Sequence, residues 1–552
     1  MKPLTTLLEF ATTKELTKLL IKERVKCRRR NRSDRHHSHN DLNKECNLDE
    51  LGNRKKLSRI MPPRRNWVRP KKNKRKTLAN GANDTCKNAE KALWLTIEHD
   101  RKLQGQGEKY PSYLDELDAF IKRIQAHLAS GTLVFEKPQL TPILKSTKHQ
   151  PDGTILVTCR PLSVYNKLED KIVLAVASRY LTKFFDRYLH PNILSYRRAR
   201  RFDGYEKHHV TDFNDGIKLI MKFRENHLRH TIYAADCDIK KFYDIIPHTV
   251  VRNCFLRLLD RIPLTDDGKE QVMRLLEAYL KSYNFYEDAW QYAEQNDSVY
   301  NKIRRRLHDD KRKNHYLLGW VDELLSDPEK RQGRGVPQGG SLSLLIANIV
   351  LNDVDQPIVR EDDSNRLFIR YCDDMILLHA NPDECRRLID LYTQSLEEHG
   401  LYYHPFKPFD RATNPVHDFW KAKSHQPFLW GEGDGSSNRY IGFLGYELRR
   451  DGKLRLRKDN VMRFKEKFHR LYYSLRRYKK KHTEEKFAEH QKQTLEKSLS
   501  MAFYTALDQE TFKKGSQYRY MTKLKDRIVK RLAKQKSNDC NKTKGTVVLP
   551  IR

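Results

Sequence analysis

The chain has 552 residues, 33% of them charged, with 108 Lys+Arg against 72 Asp+Glu and a formal net charge of +36. A surplus of that size makes a compact chain repel itself unless an anionic partner is at hand, and nucleic acid, which releases condensed counterions at each phosphate contact, fits that role. No apolar run reaches the ~18 residues of a membrane span, and the nine cysteines are scattered without a CxxC pair, so a reduced, cytoplasmic setting with no membrane partner and no disulfide framework is expected.

The opening segment, MKPLTTLLEFATTKELTKLL, is interrupted by Glu9, Lys14 and Glu15 and reads as a short amphipathic helix, not a signal peptide. Residues 22–76 are strongly basic and poor in apolar side chains, so this arm is expected to be loosely ordered until it meets RNA or DNA; a solubilising tail is the alternative. Cys27, His36, His37, His39 and Cys46 match no zinc spacing. From about Asn88 apolar residues recur at intervals of three and four, LVTCRPLSVYN reads as a strand and a turn, and residues 168–189 read as one amphipathic helix. The stretch 252–330, rich in Tyr and in charge, reads as a mostly helical insertion, either a structural connection or a nucleic-acid contact. Near the other end, Val461, Phe464, Phe468, Leu471 and Leu475 form one apolar stripe of a basic helix.

The chemistry is concentrated in three segments. YAADCDIKKFYDIIPH (233–248) begins as a buried strand with Asp238 near its end. GRGVPQGGSLSLLIANIVLNDVD (333–355) is a Gly-rich loop feeding an apolar helix, and LFIRYCDDMILLHA (367–380) has Asp373 and Asp374 between two apolar β runs, the pattern of a hairpin with carboxylates at its turn. Carboxylates between apolar strands are costly without a cation, and Mg²⁺ favours such oxygen ligands together with substrate phosphates. Two ions about 4 Å apart can activate a 3′-hydroxyl and stabilise a leaving pyrophosphate.

These segments, in this order, closely resemble the palm of reverse transcriptases, especially the bacterial branch related to group II intron enzymes. DIKKFYDIIPH is similar to the family's first catalytic motif, PQGGSLSLLIANIVL to its template- and nucleotide-binding motif and YCDD to its second catalytic motif; RPLSVYNKLEDKIVLAVASRYL, GLYYHPFKPF and GFLGYEL resemble the fingers segment, the lysine-bearing segment and the primer-grip hairpin. The resemblance covers roughly residues 155–450. It implies an α+β right-hand polymerase with fingers, a palm built on an antiparallel sheet, and a helical thumb. On that scheme residues 1–87 are a basic, partly disordered extension, 88–232 the fingers, 233–450 the palm carrying the insertion at about 252–330, 451–534 the thumb and 535–552 a polar tail.

The resemblance also implies roles. Asp238 and Asp373 bridge two Mg²⁺ ions, with Mn²⁺ as an alternative, while Asp374 is the accessory carboxylate and the Ile239 carbonyl reaches a metal. Tyr243 stacks under the sugar and favours dNTPs; Gln338 and Gly339 contact nucleotide and template; Arg160 grips the triphosphate; Lys407 is the candidate proton donor to pyrophosphate; Phe443, Leu444 and Gly445 form the primer grip. Leu344 stands where the family usually has Pro after the serine, and Thr154 to Cys159 supply no second basic residue before RPL. The implied activity is RNA-directed DNA synthesis with an RNA template or noncoding RNA, dNTPs, a DNA product and a partner protein or an oligomer as further candidates. Without an HNH pattern, an RNase H carboxylate set or a retron-type VTG element, the chain is most like the unassigned-group reverse transcriptases linked to phage defence. Template-independent or protein-primed synthesis, and an intron-type maturase, are the alternatives.

Overall fold

A computed structural model of the chain describes residues 5–36, 53, 55–71, 73, 75–76, 84–149, 155–199, 208–286, 332–360, 362–407, 422–432, 437–479, 483–502, 519–520 and 522–532. Most of the expected insertion, the histidine cluster of the arm after His36, and the tail 535–552 lie outside the described residues.

In chain order the principal helices and strands begin with α1 (Thr13–His36), α2 (Thr85–Gly105), α3 (Tyr113–Ala129), β1 (Gln139–His149), β2 (Ile155–Val164), α4 (Leu168–Phe185), α5 (Phe213–Asn226) and β3 (Tyr233–Asp238). Next come α6 (His248–Asp260), α7 (Asp266–Lys281), α8 (Ser343–Val359), β4 (Arg366–Tyr371), β5 (Asp374–His379) and α9 (Pro382–Glu398). The last are β6 (Phe406–Lys407), β7 (Ser424–Trp430), β8 (Ser437–Asn438), β9 (Tyr440–Phe443), β10 (Tyr446–Arg449), β11 (Leu454–Leu456), α10 (Lys458–Lys479) and α11 (Glu484–Ala502). The chain divides into two compact units, the first made of residues 1–210, 239–361 and 390–404 and the second of 211–238, 362–389 and 405–552.

The first unit is mainly helical. Leu114, Leu117, Ile121 and Ile124 recur at helical spacing on α3 and are buried, each such burial contributing about 2 kcal/mol. α1 packs on α2 and α4 through Leu16, Leu20 and Val25, so the basic arm is preceded by turns that belong to the folded core. Leu57, Ile60 and Met61, within the arm itself, are also buried. α8 buries residues all round its circumference, from Leu345 and Ile346 to Val354 and Ile358, as a helix does inside a core.

The single helix expected over 168–189 ends at Phe185, and a 3₁₀ turn over Asp186–Tyr188 follows. The buried Arg197 guanidinium accounts for this break. It pairs with Asp186 at 2.6 Å and donates to the carbonyls of Asp186, His190 and Ile193, drawing the returning chain over the helix end.

The second unit is built on a sheet in the order β4-β5-β3-β7-β6, with β8 paired to β7, and on a smaller sheet ordered β11-β10-β9. β3 is antiparallel to both β5 and β7. Its Ala234, Ala235 and Cys237 are buried, as are Met375 to Leu378 of β5. Trp430 is fully buried, and its Nε1 donates to the Leu448 carbonyl at 3.0 Å, fastening β7 to β10. α10 packs on α11, with Phe468, Leu475, Phe487 and Leu495 buried.

Candidate active site: a carboxylate cluster on the central sheet

The strand register assembles the acidic residues. Asp238, the last residue of β3, is the Cα partner of Asp374, the first residue of β5. Tyr371 of β4 is the other partner of Asp374, so Cys372 and Asp373 form a two-residue hairpin loop. Cys372 has φ +60°, the left-handed conformation that lets such a tight turn follow the twist of its strands. The fully buried Arg370 donates from Nη1 to the Cys372 carbonyl at 2.9 Å and so braces the loop from beneath. Of the two aspartates expected at the turn, Asp373 occupies the loop and Asp374 opens the second strand.

Alternation along β3 puts Asp236 on the same face as Asp238. β7 serves both of them. Ser424 Oγ accepts the Asp238 amide at 3.0 Å, and His425 Nδ1–H donates to the two Asp236 carboxylate oxygens at 2.7 and 2.9 Å. Just before the strand, Lys423 Nζ lies 3.4 Å from Asp238 Oδ2. The Asp374 carboxyl is pushed up to about 7, first by burial and then by the charges of Asp373 and Asp238, with Arg457 acting in the opposite direction. As a residue Asp374 still presents surface to solvent. Acidic groups that oppose one another's ionisation, with hard oxygen donors alone, suit Mg²⁺ or Mn²⁺. Asp238, Asp373 and Asp374 would hold such ions. Asp236, Lys423, Ser424, His425 and Arg457 had not been singled out from the sequence; the D-x-D spacing of Asp236 and Asp238 was the one available signal.

A second group of expected residues gathers in the first unit, around the Gly-rich loop. The loop is laced to the segment after β3: Val336 N–H donates to the Tyr243 carbonyl and Gly335 N–H to the Ile246 carbonyl, each at 2.8 Å. Gln338 donates from Nε2 to Asp244 Oδ1 at 2.7 Å, while its carbonyl accepts the Ser163 amide at 2.8 Å. Gly339 has φ +88°, and a Cβ there would meet Leu162 Cδ1 at 2.5 Å. The loop therefore rests on the end of β2, the strand that carries Arg160; the Arg160 side chain lies outside what is described. Tyr243 sits half-buried in a short helix over Phe242–Ile245. Ile239 is buried and bridges to Tyr403.

The remaining expected residues belong to the second unit. Lys407 lies on β6 opposite His425 of β7, one strand removed from β3; its side chain is likewise outside the described residues. Phe443, Leu444 and Gly445 stand at the β9–β10 turn, where Leu444 (φ +49°) and Gly445 (φ +85°) have the paired positive φ of a type I′ turn. Phe443 is buried, while Leu444 and Gly445 are partly exposed at the turn. The Gly445 carbonyl accepts from the Arg457 amide and from Asn460 Nδ2, each at 3.0 Å, tying the turn to the first turn of α10.

Residues 298–448 match the family model described as reverse transcriptase (RNA-dependent DNA polymerase). Over those residues the chain is similar to the reverse-transcriptase family, and its helices and antiparallel sheets are consistent with an α+β fold of the right-hand polymerase class. The match takes in the Gly-rich loop, the Asp373–Asp374 hairpin and the β9–β10 turn, whereas Asp238 precedes it. No curated protein matches the chain. Solved structures similar to it include apo telomerase from Candida tropicalis truncated from its C-terminal domain, at 15% identity and TM-score 0.32, covering 58% of this chain and 55% of that one. Apo telomerase from Candida tropicalis is similar at 14% identity and TM-score 0.34, covering 62% and 52%. Telomerase from Candida albicans in complex with a TWJ fragment of telomeric RNA is similar at 12% identity and TM-score 0.34, covering 80% and 70%. The chain spans about half the length of the first two of these telomerase chains.

Proposed function

We propose that this protein is an RNA-directed DNA polymerase, a nucleotidyltransferase that adds dNTPs to a 3′ end on an RNA template. The observation that carries the proposal is the facing of Asp238 and Asp374 across β3 and β5 with Asp373 in the adjoining loop, in a chain whose residues 298–448 match the reverse-transcriptase family. Divalent ions held there would supply charge neutralisation for phosphoryl transfer. The protein's own residues keep the carboxylates in place. Ser424 fixes the backbone at Asp238, His425 holds Asp236, and Lys423 offsets negative charge beside Asp238.

Tyr243 is proposed as the sugar gate, Gln338 and Gly339 as nucleotide and template contacts, Arg160 and Lys407 as triphosphate contacts, the Ile239 carbonyl as a further metal ligand and the Phe443–Gly445 turn as the primer grip. Support comes from the motif resemblance and, for Tyr243, Gln338 and Gly339, from their gathering around one loop. The net charge of +36 supports RNA and DNA as partners. A bacterial role in phage defence with an associated noncoding RNA, and with a partner protein or a second copy, rests on the motif resemblance alone. The test is incorporation of labelled dNTPs on a primed RNA with Mg²⁺, with the product sequenced: DNA complementary to the RNA supports the proposal, and repetitive DNA unrelated to it points to untemplated synthesis.

A further inference from the structure

We infer that Cys254, Asp353 and His399, in the first unit, form a binding site for one zinc-class divalent cation, separate from the carboxylate cluster. The three come from different parts of the chain: Cys254 from α6, Asp353 from α8 and His399 from the residue after α9. Their ligand atoms all lie within 4.8 Å of one another. Two of the three separations match a tetrahedral metal site directly. Cys254 Sγ is 3.5 Å and His399 Nε2 3.3 Å from the same oxygen, Asp353 Oδ2. Ligand–metal distances of about 2.0–2.3 Å in a tetrahedron put neighbouring ligand atoms roughly 3.3–3.8 Å apart.

The orientation of His399 suits the same role. Its Nδ1–H donates to the Ser395 carbonyl at 2.6 Å, which leaves Nε2 facing the sulfur and the carboxylate. A histidine that ligates zinc through one nitrogen usually donates from the other to a carbonyl or carboxylate in this way. A thiol, an imidazole and one carboxylate form a softer donor set than the oxygen-only cluster around Asp238, and it selects zinc-like ions over Mg²⁺.

A cation already stands at the cluster. Arg257 Nη2 contacts Asp353 Oδ2 and lies 3.4 Å from Cys254 Sγ, so the guanidinium touches two of the three donors. Its side chain is 55% exposed and free to turn outward into solvent as the metal enters. Arg257 is thus the competitor that sets the affinity. On binding, the Cys254 thiol proton passes to solvent and the thiolate takes the metal. The bound ion would link α6, α8 and the segment following α9.

The test uses the full-length protein, reduced and stripped with chelator, titrated with Co²⁺ and separately with Zn²⁺. Thiolate-to-cobalt charge transfer reports ligation by a cysteine, and its loss in Cys254→Ser assigns the band to this site and not to the other cysteines of the chain. Expected are a charge-transfer band at micromolar Co²⁺, displacement by Zn²⁺, and a Zn²⁺-induced rise in Tm of a few degrees. Cys254→Ser and His399→Ala should each remove the band or weaken binding about ten-fold or more. Arg257→Gln, a half-exposed change that leaves all three donors in place, should tighten binding several-fold. Absence of the band in the wild-type protein, or binding that Arg257→Gln leaves no tighter, overturns the inference and makes the cluster a hydrogen-bonded clasp only.

Discussion

Asp238 and Asp374 face each other as register partners across β3 and β5. Register is what makes this pairing specific, because a slip of one residue would turn Asp238 to the opposite face of the sheet and bring Cys237 to its place. The buried run Ala234, Ala235 and Cys237 against Met375 to Leu378 resists such a slip. The apolar packing of the sheet thereby sets the positions of its most polar residues.

That dependence extends to β7. Ser424→Ala removes the acceptor for the Asp238 amide while leaving a side chain of similar size. We expect a loss of DNA synthesis of about ten-fold with the fold retained, since leaving this half-buried donor unpaired costs about 1 kcal/mol, the low end for a buried one. The measurement is the Mg²⁺ dependence of dNTP incorporation, whose midpoint should move upward. An unchanged midpoint with unchanged rate would detach Ser424 from the site.

Gly339→Ala tests the seat of the Gly-rich loop. The added methyl meets Leu162 Cδ1 at 2.5 Å and is placed on a residue with φ +88°. Strain of this kind costs about 1–3 kcal/mol. Denaturant unfolding should show the loss, and a variant as stable as the wild type would mean that the loop and β2 do not meet closely in solution.

His248 links pH to the same loop. It is buried, its Nε2–H donates to the Gly335 carbonyl at 2.8 Å and its amide donates to the Gly333 carbonyl at 2.7 Å. Burial, the leading cause, holds its pKa below 6.5, with the hydrogen bond to Gly335 acting in the opposite direction. The unfolded chain therefore takes up a proton that the folded chain resists, and this contribution to stability is complete above the unfolded value and is lost as pH falls from 6.5 toward the folded value. Unfolding free energies between about pH 7.5 and 5.5 should fall less steeply in His248→Gln than in the wild type. Equal slopes would show that His248 is not the group responsible.

Tyr243→Ala should admit ribonucleotides. The residue is half-buried in the short helix that contacts the Gly-rich loop through the Tyr243 carbonyl, so truncating the ring leaves that hydrogen bond intact. Competition between rNTPs and dNTPs measures the effect, and discrimination equal to the wild type would remove Tyr243 from the gate.

Much of this was legible in the sequence. Two apolar runs around Asp373 and Asp374 announced a hairpin, the strand ending at Asp238 appeared where alternation placed it, and the α+β polymerase fold followed from the order of the motifs. What stayed hidden was carried by distant partners. Ser424 reaches Asp238 across 186 residues, and nothing local marks KSH as part of the site. The helix expected to run to Leu189 stops at Phe185 because of Arg197, eleven residues beyond Asp186. Periodicity, which sees Tyr188 and Leu189 as a continuing stripe, cannot detect an ion pair. The opening amphipathic helix was legible, but its continuation past residue 22 was not, since the arginines around Cys27 dominate the composition of a stretch whose Val25 is buried. Cys254, Asp353 and His399 become neighbours only once α6 and α8 pack together.

On the function proposed above, the facing carboxylates carry DNA synthesis. The most direct measurement is dNTP incorporation on a primed RNA template with Mg²⁺ by Asp238→Asn and by Asp373→Ala/Asp374→Ala, with circular dichroism and Tm recorded on the same preparations. Both variants should fold as the wild type does, or more stably as repulsion at Asp374 is relieved, while synthesis falls to background. Synthesis persisting at a rate near that of the wild type in either folded variant would contradict that role.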